Sequence, residues 1–567
     1  MTNKQIARTF KLTADLIELT GGNSFRARAF AAGGRTVDNL EQPAADLVAS
    51  GDLTAVQGIG RGLATDIEAL LATGSFDTLD QLLAAVPPGL LDVLRLKGLG
   101  PKRARILWTG LGITSLDDLE EAALTGRISD LDGFGKKSEE KLLEQIKTLR
   151  GYMRQRHHAS ALGAVEPVLV SLRESEGVER AEPAGGLRRC DEVLSEAELV
   201  VAGDRAVIDS ILEGYSSPAG DAVAGTMGER IARVLPDGLP LIVHLTPITT
   251  FDSVWWRRTG SEQHVAAFER EHQVPAGVAS EAAIYERASM DWIPPELREN
   301  RGELEAARLA DIPELIEVGD LKGTVHNHTT ASDGAHTLRE MADAARAMGY
   351  EYLGLCDHSQ SLVIANGLTV DRLRKQGDEI RALNEELLHD GGPPFRILHG
   401  SEVDIMGDGS LDFPDDVLAE LDLVVASVHT RFGMSEREAT ERIIRAVEHP
   451  LVDILGHPTG RLLLRRDGYP VDHDAIIEAC ARYNVAIELN ANPYRLDVDW
   501  RFIRKATTQG VSIAINPDAH SIDELRYVQH GVAVARKGWL TAEQCLNART
   551  SEEFVAWLVA RRADRAD

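Results

Sequence analysis

The stretch Gly323-Thr-Val-His326-Asn-His328, followed closely by Ser332-Asp333-Gly334, decides how the C-terminal part of the chain is interpreted. Its small and β-branched residues predict a short strand that ends in two histidines. Because residues i and i+2 of a strand point to the same side, His326 and His328 are expected to share a metal ion. Asp518-Ala-His520 has the same spacing and allows the same interpretation.

Six further apolar segments follow, and amphipathic helices separate them to the end of the chain, which is typical of a βα barrel or a doubly wound sheet. In a parallel barrel, side chains at the C-terminal strand ends converge on one mouth. Most of the segments end in histidine or carboxylate, but Ala486-Ile-Glu-Leu-Asn490 supplies no obvious ligand. The segments begin at Tyr352, Phe395, Leu423, Val452, Ala486 and Ser512.

Six histidines and three carboxylates at these strand ends form a candidate metal cluster. At four to six ligands per ion, with some bridging, they suit two or three divalent cations, and this donor set favours Mn²⁺ or Zn²⁺ while also admitting Mg²⁺. A single histidine at a strand end is usually structural, but six of the 17 histidines in this position indicate a cluster. The candidate ligands are His326, His328, Asp333, His358, Glu402, His429, His457, Asp518 and His520.

The order of these residues resembles the polymerase and histidinol phosphatase (PHP) domain, a metal-dependent phosphoesterase. Matching motifs include Asp357-His358-Ser359, Ser427-Val-His429 and Gly456-His457-Pro458. The resemblance implies a distorted seven-stranded barrel with a trinuclear site. It assigns His326, His328, Glu402 and Asp518 to one metal, Glu402, His429 and His457 to a second, and Asp333, His358 and His520 to the third. It also implies that Arg461 clamps phosphate, with a surface salt bridge as the alternative.

The first 150 residues predict short helices separated by three Gly–apolar–Gly turns, each directly before a helix-like stretch. The turns are Gly58-Ile59-Gly60, Gly98-Leu99-Gly100 and Gly133-Phe134-Gly135, and they resemble helix-hairpin-helix motifs. Backbone N–H groups at such helix starts bind DNA phosphate without reading sequence, whereas plain helix C-caps are the alternative. The predicted DNA contacts are Gly58, Gly60, Gly98, Gly100, Gly133 and Gly135, with Lys102, Arg103 and Lys136.

Charge and composition limit the classes of function. The 567 residues suggest several domains, and 61 basic against 89 acidic side chains give a net charge of −28. Residues 1–150 carry 18 basic and 20 acidic residues, so their balance is only −2. Overall acidity argues against purely electrostatic DNA binding, but a locally basic surface from Arg95 to Arg105 can still hold a phosphate backbone. The polar start, the four scattered cysteines and the lack of a long apolar run lead us to expect a cytoplasmic monomer without membrane contact.

Nearly the whole chain resembles bacterial family X DNA polymerases that carry a PHP domain at the C-terminus. The motifs that carry this resemblance include Asn23-Ser-Phe-Arg26, Gly185-Gly186-Leu-Arg188-Arg189, Thr259-Gly260-Ser261 and Ile293-Pro-Pro-Glu-Leu-Arg298. It implies a multidomain chain with four parts. These are a helical, lyase-like DNA-binding domain (1–90), a helix-hairpin-helix fingers-like region (91–150), an α/β nucleotidyltransferase-like palm and thumb (151–315), and an α/β PHP barrel (316–567).

Two departures from the family put activities in doubt. The family's Asp-x-Asp pair is Glu196-Ala-Glu198 here, and its third aspartate aligns with His244, so the metal pair needed for nucleotidyl transfer is in question. Asp66 aligns with the lysine that forms a Schiff base in lyase-active relatives, and residues 12–96 contain no lysine. We therefore expect no lyase activity and a degenerate polymerase site.

These features predict a DNA-repair protein that acts mainly as a metal-dependent 3′→5′ exonuclease on gapped, nicked or 3′-ended DNA. The first alternative is an active gap-filling polymerase that also has the exonuclease. A phosphatase of small phosphomonoesters is the second, and the helical front half argues against it. A non-catalytic DNA-end scaffold is the third, and it is disfavoured because all nine ligand types are present.

Overall fold

Two units, Met1–Met153 and Arg154–Asp567, make up the chain in this computed structural model. The structure describes residues 1, 3–38, 40, 42–216 and 229–565. Within those ranges, no helix combines the length and the apolar character needed to cross a membrane. The four cysteines form no disulfide with one another.

The described residues of the first unit form nine α-helices, as the apolar periodicity predicts. Phe10, Phe30 and Phe76 meet at its centre, with ring centroids 5.2–5.9 Å apart. The helices are α1 (Asn3–Thr20), α2 (Ser24–Asp38), α3 (Ala44–Ser50), α4 (Arg61–Thr73), α5 (Asp77–Ala85), α6 (Gly89–Val93), α7 (Pro101–Leu111), α8 (Leu116–Leu124) and α9 (Lys136–Met153).

The three glycine turns each lead directly into a helix, as predicted, and they do so with a shared conformation. The first glycine of each turn is left-handed, with φ of 98° at Gly58, 80° at Gly98 and 82° at Gly133, which a side chain would strain. The middle residue is buried in all three turns. The second glycine precedes α4, α7 or α9. The turns therefore start helices, and the C-cap alternative does not apply.

A four-stranded sheet forms the first part of the second unit. Its strands lie in the order β2 (Val178–Ala184), β4 (Ala197–Gly203), β6 (Pro240–Leu245) and β5 (Glu229–Val234). Only β4 and β6 are parallel among its neighbouring strands. The strand predictions at 199–201 and 241–243 are confirmed as parts of β4 and β6. The elements are β1 (Arg156–His157), α10 (His158–Glu174), β2 (Val178–Ala184), α11 (Gly185–Arg188), β3 (Val193–Leu194), β4 (Ala197–Gly203), α12 (Arg205–Leu212), β5 (Glu229–Val234), β6 (Pro240–Leu245), α13 (Phe251–Thr259), α14 (Glu262–Glu271), α15 (Ala282–Arg287) and α16 (Glu303–Arg308).

Seven parallel strands that neighbour one another in chain order form the second part. A parallel bridge between Asn327 and Ala519 brings the last strand back to the first, so the sheet is a nearly closed barrel, as predicted. The elements are β7 (Gly323–Asn327), α17 (Leu338–Ala347), β8 (Tyr352–Leu355), α18 (Val370–His389), β9 (Arg396–Asp404), α19 (Asp415–Leu418), β10 (Leu423–Ser427), α20 (Glu436–Val447), β11 (Ile454–Leu455), α21 (His473–Tyr483), β12 (Ala486–Asn490), α22 (Trp500–Thr508), β13 (Ile513–Asn516), α23 (Val528–Lys537) and α24 (Ser551–Asp564).

The last helix, α24, closes one end of this barrel. Its Phe554 stacks on Tyr352 at the start of β8, with ring centroids 4.8 Å apart. Val325, Leu398 and Val425 belong to the same buried cluster. The candidate metal ligands follow the opposite ends of the strands, so α24 lies away from them.

Candidate metal centre

All nine predicted ligands meet at the C-terminal mouth of the barrel. Their donor atoms form four overlapping groups, and within each group the atoms lie within 4.8 Å of one another. The groups are His326, His328 and Asp518; His326, Glu402 and His457; His358, Glu402 and His429; and His328, Asp333, His358 and His520. This grouping is close to the three-metal arrangement that the PHP resemblance implies, while the assignment of each ligand to an ion stays a prediction.

Glu402 lies at the centre of the cluster. Its Oε1 is 2.9 Å from His457 Nε2 and 3.2 Å from His429 Nε2, while its Oε2 is 2.8 Å from His358 Nδ1. Burial of the carboxyl group opposes ionisation, but the nearby histidines outweigh it and hold the pKa of Glu402 well below its usual range. A central ionised carboxylate can bridge two cations.

The donor atoms at the centre fit divalent cations. Nε2 of His326, both ring nitrogens of His328 and both oxygens of Glu402 are buried and find no hydrogen-bond partner among the residues that the structure describes. Such unsatisfied polar atoms are costly unless something binds them. Imidazole nitrogen and carboxylate oxygen are donors that Zn²⁺ and Mn²⁺ prefer.

Three residues outside the predicted set orient the ligands. Glu488 Oε1 lies 2.5 Å from Nδ1 of His326, Asp404 contacts Nδ1 of His429, and Asn490 Nδ2 donates to Asp518 at 3.1 Å. Metal-bound histidines commonly have such a carboxylate on the other ring nitrogen, which fixes the ring and raises its basicity. Glu488 and Asn490 belong to β12, for which the sequence predicts no ligand. The charge of Glu488 inside an otherwise apolar strand is the sequence feature that points to a role beside the ligands.

Asp357 holds the loop that carries Asp333. It accepts hydrogen bonds from Thr329 N at 2.8 Å and Gln376 Nε2 at 2.5 Å and another from the Ser332 hydroxyl. The two neighbouring residues therefore have different roles. His358 lies in the cluster, and Asp357 fixes the loop that carries Asp333.

Comparisons with known proteins agree with this geometry. Residues 1–76 match the helix-hairpin-helix domain, residues 90–148 the SAM-like helix-hairpin-helix tandem, and residues 324–492 the PHP domain. The chain is 37% identical, over 98% of its own length and 99% of the other protein, to the DNA polymerase/3′-5′ exonuclease PolX of Bacillus subtilis (strain 168). The chain belongs to the PolX family of bacterial family X DNA polymerases.

Shorter relatives match between a third and two fifths of this PolX family member. A probable phosphatase of Thermoanaerobacter sp. (strain X514) is 30% identical over 39% of the chain and 88% of its own length. One of Clostridium novyi (strain NT) is 28% identical over 35% of the chain and 78% of its own length. The PHP domain at residues 324–492 is a metal-dependent phosphoesterase domain.

Arg461, the predicted phosphate clamp, is engaged in ionic contacts within the second unit. Its guanidinium contacts Glu192 and lies 3.2 Å from Asp499, and it donates to the carbonyl oxygens of Arg495 and Leu496. This is the salt-bridge alternative, so the structure gives the phosphate role no support. Arg495 borders the cluster instead, with its Nε 3.4 Å from Oδ2 of Asp518.

The predicted DNA-contacting side chains of the PolX helical unit divide into two kinds. Lys102 and Lys136 are exposed at the starts of α7 and α9. Arg103 instead donates to the carbonyl oxygens of Gly98 and Gly133, at 3.1 and 3.3 Å, and its guanidinium lies 4.3 Å from the ring centroid of Phe134. Arg103 thus links the second and third glycine turns.

Glu196, Glu198 and His244 align with the three aspartates of the family's polymerase site. They do not form a triad of carboxylates, because the third residue is a histidine. Glu198 Oε2 lies 2.8 Å from His244 Nε2, and the alignment of His244 with the family's third aspartate stays a prediction. Glu196 is exposed just before β4. Asp66, at the position aligned with the lyase lysine, lies within α4.

Proposed function

We propose that the chain is a DNA-repair enzyme that trims 3′ ends by metal-dependent hydrolysis of phosphodiester bonds. Its PHP cluster would carry out the reaction, and the glycine turns of the first unit would hold gapped or nicked DNA. The contrast between the two candidate sites carries this proposal. All nine ligands gather in the barrel, whereas the palm has a glutamate–histidine contact where three carboxylates are needed.

The side chains around the cluster account for how hydrolysis would proceed. When bound, divalent cations activate water as the nucleophile and offset the charge that develops on the phosphoryl oxygens. Glu488 and Asp404 keep His326 and His429 in fixed orientations, and Glu402 would hold cations together with the histidines around it. Arg495 lies where a cationic side chain can help to orient a DNA phosphate.

The arginines of the Gly185-to-Arg189 stretch favour a silent polymerase site. Arg188 forms a two-point ion pair with Glu281, at 2.8 and 2.6 Å, and lies 3.4 Å from the ring centroid of Trp255. Arg189 is paired with Asp191 at 2.7 Å and Glu299 at 2.9 Å. Because both guanidinium groups are in ion pairs with carboxylates, they are poorly available to bind a nucleoside triphosphate.

A trimming assay tests the main proposal. A 5′-labelled primer in a one-nucleotide gap is incubated with the full chain and Mn²⁺, with and without dNTPs. We expect a ladder of shortened primers that EDTA and the substitution His429→Ala abolish. Primers that stay full length with the wild type in Mn²⁺, Zn²⁺ and Mg²⁺ would refute 3′ trimming.

A retained gap-filling activity is the second candidate. The match to a relative named as both polymerase and exonuclease extends over 98% of the chain, and this observation favours the second candidate. Lengthened primers in the same assay would support this candidate, and its sharper test uses a nuclease-deficient variant.

A further inference from the structure

A rigid turn beside the metal cluster displays two aliphatic side chains to solvent. Val363 is 82% exposed and Ile364 is 88% exposed, the highest values for large hydrophobic residues in the described part of the chain. Both belong to the 3-10 turn Val363–Ala365, which follows the Asp357-His358-Ser359 motif. Ala365, the last residue of the turn, and Leu368, three residues later, are buried.

The backbone of this turn is fixed on the metal-ligand segments. Leu368 N donates to the carbonyl oxygen of His358 at 2.7 Å. The amide of Asn366 donates to the carbonyl oxygens of Ala331 and Ser332, both at 3.3 Å, directly before the ligand Asp333. A Cβ on Gly367 would lie 2.0 Å from the carbonyl oxygen of Ser359, so the packing there admits only glycine.

Two further contacts anchor the turn. The Ser361 hydroxyl donates to Asp404 at 2.6 Å, and Asp404 is the carboxylate that contacts His429. The Arg372 guanidinium donates to the carbonyl oxygens of Gly367 and Ala331. The segments that carry Asp333, His358 and Glu402 therefore all hold the turn, and its exposed tip is not the result of a loose loop.

The tip lies within reach of a strand bound at the cluster. Ile364 is two residues from Asn366, which touches the residue before Asp333, so Ile364 lies within roughly 15 Å of that ligand at 3.8 Å per Cα step. Stacked nucleotides of one strand repeat about every 3.4 Å. Ile364 is thus within about four nucleotide steps of Asp333.

We propose that Val363 and Ile364 form a base-contacting subsite of the phosphoesterase centre, against which the bases at the 3′ end of the trimmed strand pack. This inference rests on the proposed 3′ trimming. Bases are the apolar part of DNA, and aliphatic side chains are known to wedge between base steps and unstack them. Two side chains suffice for a base, whereas a protein partner would need a far larger patch. The contact reads no sequence, which suits an enzyme that removes whatever base is terminal.

The test compares the activity of the full chain on two substrates in the presence of Mn²⁺. The variant Val363→Ser with Ile364→Ser should lower kcat/KM on a 5′-labelled primer with an unpaired 3′ end by about tenfold, since it removes apolar contact area. Hydrolysis of bis-p-nitrophenyl phosphate should stay within twofold of wild type. Val363→Leu with Ile364→Leu should retain wild-type values on both substrates.

Leu388→Ser is a matched control. Leu388 is 74% exposed near the far end of α18, roughly 27 Å along that helix from Val370 at 1.5 Å per residue, and its loss should affect neither substrate. Equal kcat/KM of wild type and the double serine variant on DNA would overturn the subsite, and so would an equal fall on both substrates. A wild type that cleaves the small diester but not DNA would refute the proposed function itself.

Discussion

At the scale of single residues, the cluster separates side chains that could bind metal from side chains that orient those ligands. His326 is buried between Glu402 on one ring nitrogen and Glu488 on the other. Burial alone would lower the pKa of His326, but Glu488, Glu402 and Asp518 outweigh it and raise that pKa well above its usual value. The carboxylates therefore make this position strongly favourable for a positive charge, which a cation supplies.

Removal of two ligands should abolish hydrolysis. His326→Ala with His328→Ala takes away donor atoms of one predicted ion, while the apolar strand residues that form the barrel stay in place. We expect loss of activity on bis-p-nitrophenyl phosphate and fewer ions per chain than the two to three expected for the wild type, measured by elemental analysis, with an unchanged far-UV circular dichroism spectrum. Full hydrolysis by this double variant would rule out the assigned centre.

Glu488→Gln should weaken the centre without removing a ligand. The amide keeps the size of the side chain but loses the charge that faces His326, and loss of such an orienting partner typically costs 10–100-fold in metal affinity or activity. Metal titration followed by activity measures this shift. Glu478→Gln, on the exposed side of α21, is the matched control and should behave like the wild type.

At the scale of elements, the seven strands, the helical front and the helix-starting glycine turns all follow from sequence pattern. Apolar segments bounded by polar residues identify strands because a parallel barrel buries both faces of each strand. Side-chain pairing could not be predicted in the same way. Nothing in the sequence beside Arg103 or Arg461 shows its partners, and only the fold brings carbonyl oxygens or Glu192 to their guanidinium groups. The orienting role of Glu488 likewise depends on a neighbour, His326, that is distant in sequence.

The two kinds of cation in the helical unit should behave differently when replaced. Lys102→Ala with Lys136→Ala should weaken DNA binding and reduce the log–log salt slope by up to about two, at roughly 0.9 per phosphate contact. Arg103→Ala should instead lower the melting temperature of the unit, because it removes the link between two glycine turns. Fluorescence anisotropy at several salt concentrations and thermal melts measure the two effects. A change in melting temperature for the lysine variant, with no change in slope, would contradict this division.

At the scale of the whole molecule, ionic contacts join the palm region to the PHP barrel. Lys537 of α23 is buried and lies 2.6 Å from Asp191, and it also contacts Glu299. Arg461 makes a comparable contact with Glu192. The second unit therefore behaves as one folded body, although its two parts resemble domains with different chemistry.

We expect no templated extension from this chain. His429→Ala, which removes trimming, should leave a primer in a one-nucleotide gap unextended with Mg²⁺ or Mn²⁺, because His244 cannot supply the third carboxylate charge. Loss of such a charge typically costs several kcal/mol of transition-state stabilisation, at about tenfold in rate per 1.36 kcal/mol. Robust gap filling by that variant would show that Glu196 and Glu198 suffice.

The stability of the second unit should fall as pH decreases below about 6.5. Burial and the nearby His158 lower the pKa of His530 to about 4, and burial, aided by Lys537 and opposed by Asp191, lowers that of His158. Below pH 6.5 the unfolded chain binds protons that the folded chain does not, so each such group costs up to about 1.4 kcal/mol at pH 5.5. Thermal melts of wild type and His530→Asn should show a smaller decrease from pH 7.5 to 5.5 in the variant. Equal decreases would contradict this origin.

The ion pairs of Arg188 and Arg189 limit what changes at the three palm positions could achieve. The substitutions Glu196→Asp, Glu198→Asp and His244→Asp would supply three aspartates but would leave both arginines engaged. Freeing Arg188 requires loss of Glu281, which also pairs at 2.7 Å with the fully buried Arg298. An unpaired buried charge typically costs about 3–5 kcal/mol, so a variant that frees Arg188 in this way would be less stable than the present chain. The pairs that stabilise this region therefore oppose any change that would expose its arginines.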